Sequence, residues 1–346
     1  MVEGGREVLS PGRGKRPRGR PGLLLLPLLA VPWRAEAQDA GELLPALSPE
    51  NASAFLAPLG EALAHALAAG SVPSLSPRHG FQLTLSVGVV ASDVPEASLG
   101  FRPAVPTRMT FRGVDHEDPF QALETRSPTV AGRGQGGVLR PLPGGSFEAA
   151  LVEAGEDPED YVLALPRGLA LSRPRVAFLE ATLGLGFGTD FVARFAPSVA
   201  WSRGLGDASV FGATLLHSLD RWVGLAASPV DLRLTGSVQR VRAGGYLEVV
   251  SSAAGLVAGA RLGQIELYAH GRLEDHRARS SYRVSNPRAN PGLPPDGERV
   301  DVEVASGTEA RVGLGAIARL GLVGLSLEFA PATERAYALR LTLGPP

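Results

Sequence analysis

Ten segments of this chain alternate apolar and polar residues with period two, and no other feature limits its folding so strongly. They lie at 81–91, 176–187, 190–201, 208–219, 229–241, 246–261, 263–274, 308–320, 322–331 and 335–343. Each runs 9 to 16 residues, against about 5–6 in soluble sheets and about 9–11 in membrane strands. In 229–241, Val230, Leu232, Leu234 and Val238 share one face, while Asp231, Arg233, Thr235, Ser237 and Gln239 share the other. In 263–274, Ile265, Leu267, Ala269 and Leu273 oppose Glu266, Tyr268, His270, Arg272 and Glu274. In 308–320 the one exception is Ile317, an apolar residue on the polar face. The expected fold class is all-β, an antiparallel transmembrane β-barrel of ten strands, or twelve if 92–175 adds a hairpin. Connections sort as such a barrel requires: short turns at 188–189, 220–228, 263 and 321, and long loops at 92–175 and 275–307. Both barrel termini then fall on the short-turn, periplasmic side. Phe81, Phe187, Phe191, Trp201, Trp222, Tyr246, Phe329 and Tyr337 stand near strand ends, as interfacial girdles do.

The rival for 312–329 is a membrane helix. It would hold Arg319 near its centre at about 2.5–3.5 kcal/mol and carry Gly313, Gly315, Gly321 and Gly324. Two hairpin strands around Gly321 avoid both costs. On the inward face Glu180, Asp231, Glu266, Glu309 and Glu328 balance Arg194, Arg233, Arg272, Arg311, Arg319 and Arg340. This mixed lining predicts ion pairs across the lumen and little open pore. A soluble exported β-sandwich is the bland alternative, with the same residues on a solvated outer face.

Ahead of the strands, residues 1–22 are basic, Leu23 to Trp33 are apolar, and Ala35-Glu36-Ala37 follows. That order describes a signal peptide over 1–37, cut after Ala37. Ser48-Pro49-Glu50 opens a helix with N-cap, proline and acidic first turn. Phe55, Leu59, Leu63 and Leu67 then recur at helical spacing, Pro58 is expected to kink the helix, and Gly70 can end it. We read 38–75 as a periplasmic or plug segment and 76–346 as the barrel. Between 92 and 175, proline and glycine breakers leave room for short strands near 108–112 and 161–165. His116-Glu117-Asp118 in that stretch lacks the spacing of a metal site and reads as a solvated charge run.

Composition excludes much chemistry. The chain has no cysteine, one lysine (Lys15), and 34 basic against 35 acidic residues. Disulfides, thiolate metal sites and electrostatic nucleic-acid binding are therefore not expected. The glycines at 184, 186 and 188 resemble a dinucleotide loop but join two strands with no following helix. An outer-membrane hydrolase would have to draw on His217, His270 and His276 with Ser218, Ser280 and Ser281, and no nucleophile motif supports it. Catalytic, cofactor and metal sites are not expected.

Residues 183–231 resemble a family of bacterial outer-membrane barrels of unknown function, distantly similar to long-chain fatty-acid transporters. The resemblance rests on the run from Gly186 to Pro197 (GFGTDFVARFAP), on Phe211-Gly212 through His217, on Trp222, and on Pro229-Val230-Asp231. Softer matches are Ser127 to Gly132, Pro143-Gly144-Gly145 and the helix from Ser48. It implies export to the outer membrane, with its lipid and the barrel assembly machinery as partners. The transporter link implies passive uptake of a small hydrophobic molecule, the helix acting as plug. Because the inward face is polar, an apolar pocket would have to come from the helix and the 92–175 segment. Phe55, Leu59, Leu63, Phe101, Phe111 and Phe120 are its expected lining. A structural barrel displaying its loops without transport is the alternative.

Overall fold

The computed structural model describes residues 43–75, 77–78, 80–202, 206–220, 222–224 and 228–344. The signal-peptide reading and the Trp201 side chain lie outside the described residues. Ten antiparallel strands close into a barrel: β1 (Leu83–Ser92), β2 (Arg175–Gly186), β3 (Thr189–Ser202), β4 (Gly206–Ser218), β5 (Val230–Ala243), β6 (Leu247–Leu262), β7 (Ile265–Arg283), β8 (Arg299–Leu320), β9 (Val323–Ala330) and β10 (Ala336–Leu343). Each strand pairs with its sequence neighbour, and β1 closes the ring against both β10 (Val89↔Leu339) and β2 (Val87↔Leu179). Apolar side chains of the alternating segments face outward: Leu85, Phe211, Val238, Leu267, Val312 and Leu327 are all more than 45% exposed. Their polar neighbours face in.

The turn from β2 to β3 shows why the glycine-rich run belongs to a hairpin. Gly186, Phe187 and Gly188 all take positive φ (81°, 52° and 78°), the left-handed region that glycine enters without steric cost. The 312–329 segment is two strands around Gly321, and among the described residues no helix is long and apolar enough to cross a membrane.

One expected boundary is wrong. Residues 275–283 and 299–307 are not loop; they continue β7 and β8 well beyond their neighbours, leaving 284–298 as the connection. Asp275, Arg277, Arg279 and Arg283 point outward there, so the alternation persists but loses its apolar outer face. At 19 and 22 residues these strands span roughly 60–70 Å along their length. The barrel wall is therefore tall on the β5–β8 side and low at β9, β10 and β1.

Helix α1 (Pro49–Ala68) lies inside the barrel. The Ser48 hydroxyl accepts from Asn51 N at 3.4 Å, and Pro49 opens the helix. Pro58 lies within one continuous helix. Phe55, Leu56, Leu59, Leu63 and Leu67 are fully buried, while Glu50, Ser53 and Glu61 keep partial exposure on the remaining stripe of the helix. Ala69 is extended and Gly70 has φ 66°, which ends the helix. Its beginning is at the long-loop mouth: Tyr282 donates to Leu47 O at 3.1 Å and Ser285 N to Pro45 O at 2.9 Å. The chain then descends through the lumen and enters β1 at the short-turn mouth. The barrel's own ends thus lie at the short-turn side, while the plug begins at the opposite one.

Residues 93–174 fold into a cap of short paired strands, with helix α2 (Ser146–Glu153) packed on them. Arg108–Phe111 pairs with Val114–Glu117, and Val138–Pro141 is flanked by Phe120–Ala122 and Leu163–Ala164. None of these strands joins the barrel, which settles its count at ten. Met109, Phe120, Leu139, Phe147, Leu151 and Tyr161 form the cap's own core. Asn290, from the 284–298 connection, donates to Tyr161 O at 3.0 Å and binds that loop to the cap.

Candidate functional site

The lumen is filled from end to end by one stretch of chain, and its inward charges are organised around that stretch. After Gly70 the described backbone is neither helix nor strand, so its N–H and C=O groups lack regular partners inside a closed wall. Such groups cost free energy unless something bonds them. Arginines from the wall supply donors: Arg194 to Leu67 O (3.0 Å), Ala69 O (3.2 Å) and Gly70 O; Arg340 to Val72 O (2.8 Å) and Gly70 O; Arg233 to Ser74 O (2.9 Å). Acids supply acceptors: Gly70 N donates to Glu328 (2.9 Å), Leu75 N to Glu266 (2.9 Å) and Arg78 N to Asp190 (3.3 Å).

The same charges pair with one another. Glu180 meets Arg194 (3.3 Å) and Arg340 (3.2 Å), and Arg319 meets Glu266 (3.2 Å). Glu328 also accepts from Tyr268 (3.0 Å) and contacts His270 (3.2 Å). Arg272 bonds Glu274 (2.5 Å) and reaches Ser71 Oγ (3.3 Å). Arg194 also lies over the Phe178 ring, 4.1 Å from its centroid, at the boundary with the apolar upper lumen. Val72 and Leu75 are the apolar exceptions on the strap, and they pack with Ile317, which explains that residue's place on a polar face.

A second cluster pins the helix near the long-loop mouth. Arg311 Nη2 lies 2.7 Å from His65 Nε2, 2.9 Å from Glu309 and 2.8 Å from Glu334. His65 Nε2 is 2.8 Å from Glu334 in the turn between β9 and β10. That hydrogen bond is the main reason the Glu334 carboxyl sits below its usual range. The His65, Glu309 and Glu334 donor atoms lie within 4.8 Å of one another, a spacing a metal ion could use. The position they surround is taken by the Arg311 guanidinium.

Of the eleven charges expected to line the lumen, Glu180, Arg194, Arg233, Glu266, Arg272, Glu309, Arg311, Arg319, Glu328 and Arg340 enter this network. Asp231 does not serve as partner to Arg233, which pairs with Asp190 at 2.7 Å and is fully buried with it. The residues missed are Asp190, Glu274, His65, Glu334 and Arg78. Asp190 and Glu274 share the strand parity of Arg194 and Arg272, so the alternation already placed them inside. Nothing local marks Glu334, which sits in a turn.

The six apolar residues expected to line a pocket divide between two cores. Phe55, Leu59 and Leu63 are fully buried around α1, with Phe101 packed against them. Phe120 belongs to the separate core of the cap, with Phe111 against it. Two further expectations are corrected. Tyr246 is buried in the upper core rather than in a girdle, because the outward face at that height is charged. His116 is not solvated; it is 4% exposed and lies 5.8 Å from the Phe147 ring, and only Glu117 and Asp118 are open. Its Nδ1 is 3.2 Å from Ser146 Oγ, and Nε2 has no hydrogen-bond partner among the described residues. His217 contacts Thr189 (2.8 Å) and Ser218 donates to Asp220 (2.6 Å), away from each other.

The chain is similar in structure to the translocator domain of the autotransporter NalP from Neisseria meningitidis, at 10% identity over 87% of this chain and 99% of that one, with a TM-score of 0.35. It is similar to Ail, the attachment invasion locus protein of Yersinia pestis, at 11% identity over 77% and 98%, TM-score 0.23. The toluene transporter TbuX of Ralstonia pickettii matches at 8% identity over 89% and 97%, TM-score 0.17. Such distant likenesses carry no functional argument. No curated protein matches the sequence. Residues 21–337 match the model of a family of unknown function, DUF6588, and the chain belongs to that family.

Proposed function

We propose that the protein is a self-sealed outer-membrane barrel that presents its cap, and the chain leading into α1, on the outer side of the cell. The membrane reading rests on the apolar outer wall and on the sorting of short turns to one mouth, which in such barrels faces the periplasm. The observation that carries the presenting role is the strap. Wall arginines and acids are committed to the backbone of residues 67–78, so the charges that would line an open pore instead hold a plug in place. The cap is tied to that plug: Asn51 exchanges two hydrogen bonds with Ala104 (2.8 and 2.9 Å), and Val130 N donates to Phe55 O (3.0 Å).

Uptake of a small hydrophobic molecule is the second reading, and the apolar core around α1 favours it. It requires α1 to shift, whereas presentation requires it to stay. An epitope inserted at the Gly113 turn and another placed ahead of Leu43 are expected to bind antibody on intact cells. The purified barrel is expected to pass almost no current in a planar bilayer, and deletion of 49–75 to open it. Epitopes reached only after the outer membrane is permeabilised would overturn presentation. Saturable binding of a fluorescent fatty acid by the wild type, lost when 49–68 is deleted, would favour uptake.

A further inference from the structure

The tall side of the barrel carries a basic strip on its outer wall that the lumen does not use. On the upper parts of β5 to β8 six arginines point away from the barrel, Arg240, Arg242, Arg277, Arg279, Arg283 and Arg299, with Val250 between Arg240 and Arg277. Four acids share that face, and only three of them bond the arginines. Glu248 holds Arg240 and Arg242 together, Glu303 meets Arg277 at 3.4 Å, and Asp301 meets Arg299 at 3.2 Å. Asp275 accepts from Thr308 instead, at 2.8 Å. Arg279 and Arg283 have no acidic partner among the described residues, and Arg283 donates to Gly297 O at 3.0 Å. Strand register brings Arg242, Glu248, Arg279 and Glu303 into one row across four strands. The row lines a groove of about 910 Å³ that continues downward into a smaller one of about 310 Å³ beside Ser252 and Asp275.

Height decides what such a strip meets. Ile265 stands at the short-turn end of β7, and Arg277 is twelve residues further on. At ~3.3 Å per residue and ~40° of tilt this is roughly 30 Å along the membrane normal, just past an apolar band of ~25 Å. The arginines therefore lie at the level of the outer-leaflet headgroups. The opposite wall cannot match them, since β9 ends at Ala330 and β10 begins at Ala336. Guanidinium groups bind phosphate through paired N–H donors, which suits several arginines converging on one groove.

We infer that this strip holds the phosphate groups of a phosphorylated glycolipid of the outer leaflet, with the sugar in the groove and the acyl chains against the apolar wall below. The inference rests on the outer-membrane reading above. A basic side chain at a charged membrane surface changes affinity by roughly fivefold, so removing three is expected to weaken binding by well over tenfold.

The test uses the full chain in an uncharged detergent, with a short-chain lipopolysaccharide as probe, intact or stripped of its phosphates. Wild type is expected to bind the intact lipid more than tenfold tighter, and R242Q/R277Q/R279Q to lose that preference while keeping heat-modifiable gel migration. E248Q, which releases Arg240 and Arg242, is expected to tighten binding severalfold. Equal binding of the two lipids, a triple variant that keeps the preference, or weakening by E248Q each overturns the inference. So does competition by inorganic pyrophosphate at the lipid's own concentration, which would mark a free-anion site. Heat modifiability separates the two readings: its absence in the wild type sinks the membrane assignment itself, while its presence without a phosphate preference sinks the lipid site alone.

Discussion

The upper and lower halves of the lumen are filled by one continuous stretch of chain in two conformations, and the wall answers each differently. Above, α1 satisfies its own backbone through i→i−4 hydrogen bonds, so outside the His65 cluster the wall has only to fit its surface. It offers small or apolar side chains there: Val241, Val249 and Ala278 are fully buried against the helix. Gly60 marks how close the fit is, since a Cβ on it would stand 2.8 Å from that of Ala278. Below, the strap forms neither helix nor strand among the described residues, and the wall changes to arginine, glutamate and aspartate. The conformation of the plug dictates the chemistry of the wall, and a barrel with both signs of charge inside need not be a pore.

If that contrast is right, the two halves should fail in different ways. The largest effect is expected below. D190A removes the partner of the fully buried Arg233 and the acceptor of Arg78 N, which leaves a buried charge uncompensated at a cost of about 3–5 kcal/mol. D190L combined with R233M should recover most of the loss, since apolar replacement of a buried pair is often neutral. Urea unfolding in micelles measures both, and an undisturbed D190A would show that the strap is not held by these charges. A smaller loss is expected above. G60V forces two methyl groups against Ala278 and Val304, an overpacking cost of about 1–3 kcal/mol. A278G should relieve part of it, and the G60V loss should not vary with salt.

The sequence showed one half of this more clearly than the other. Strand parity placed Arg194, Arg233, Arg272, Glu266 and Glu328 inside, because inward charge against outward leucine is a strong period-two signal. The upper ends of β7 and β8 look like loop in the sequence because Arg277, Arg279 and Arg283 outside alternate with His276, Ser280 and Tyr282 inside, and polar residues on both sides erase the contrast. The helix was visible from its cap and its spacing, but not the mouth at which it begins. That depends on contacts such as Tyr282 with Leu47, 235 residues apart. Gly70 to Arg78 carries neither helical nor strand periodicity, so nothing local announced that the lumen charges serve its backbone.

The smallest effect concerns the seam where the plug meets the low wall. Glu334 is held below its ordinary pKa of 4.5, chiefly by the hydrogen bond from His65 and against the opposing effect of burial. A carboxylate depressed in the folded state contributes stability above its unfolded pKa and loses it as pH falls through the folded value. E334Q keeps the shape but not the charge, so at pH 7 it should cost about 1 kcal/mol. The difference between wild type and variant should shrink below pH 4.5 and vanish once Glu334 is protonated in both states. Cleavage of α1 by a protease added at the long-loop mouth reports this seam directly, because Arg311 and His65 then keep only Glu274 of the two acids they share. A wild type and E334Q that stay equally protected at pH 7 would place the restraint on α1 in its apolar packing alone, and the upper half would then need no charge.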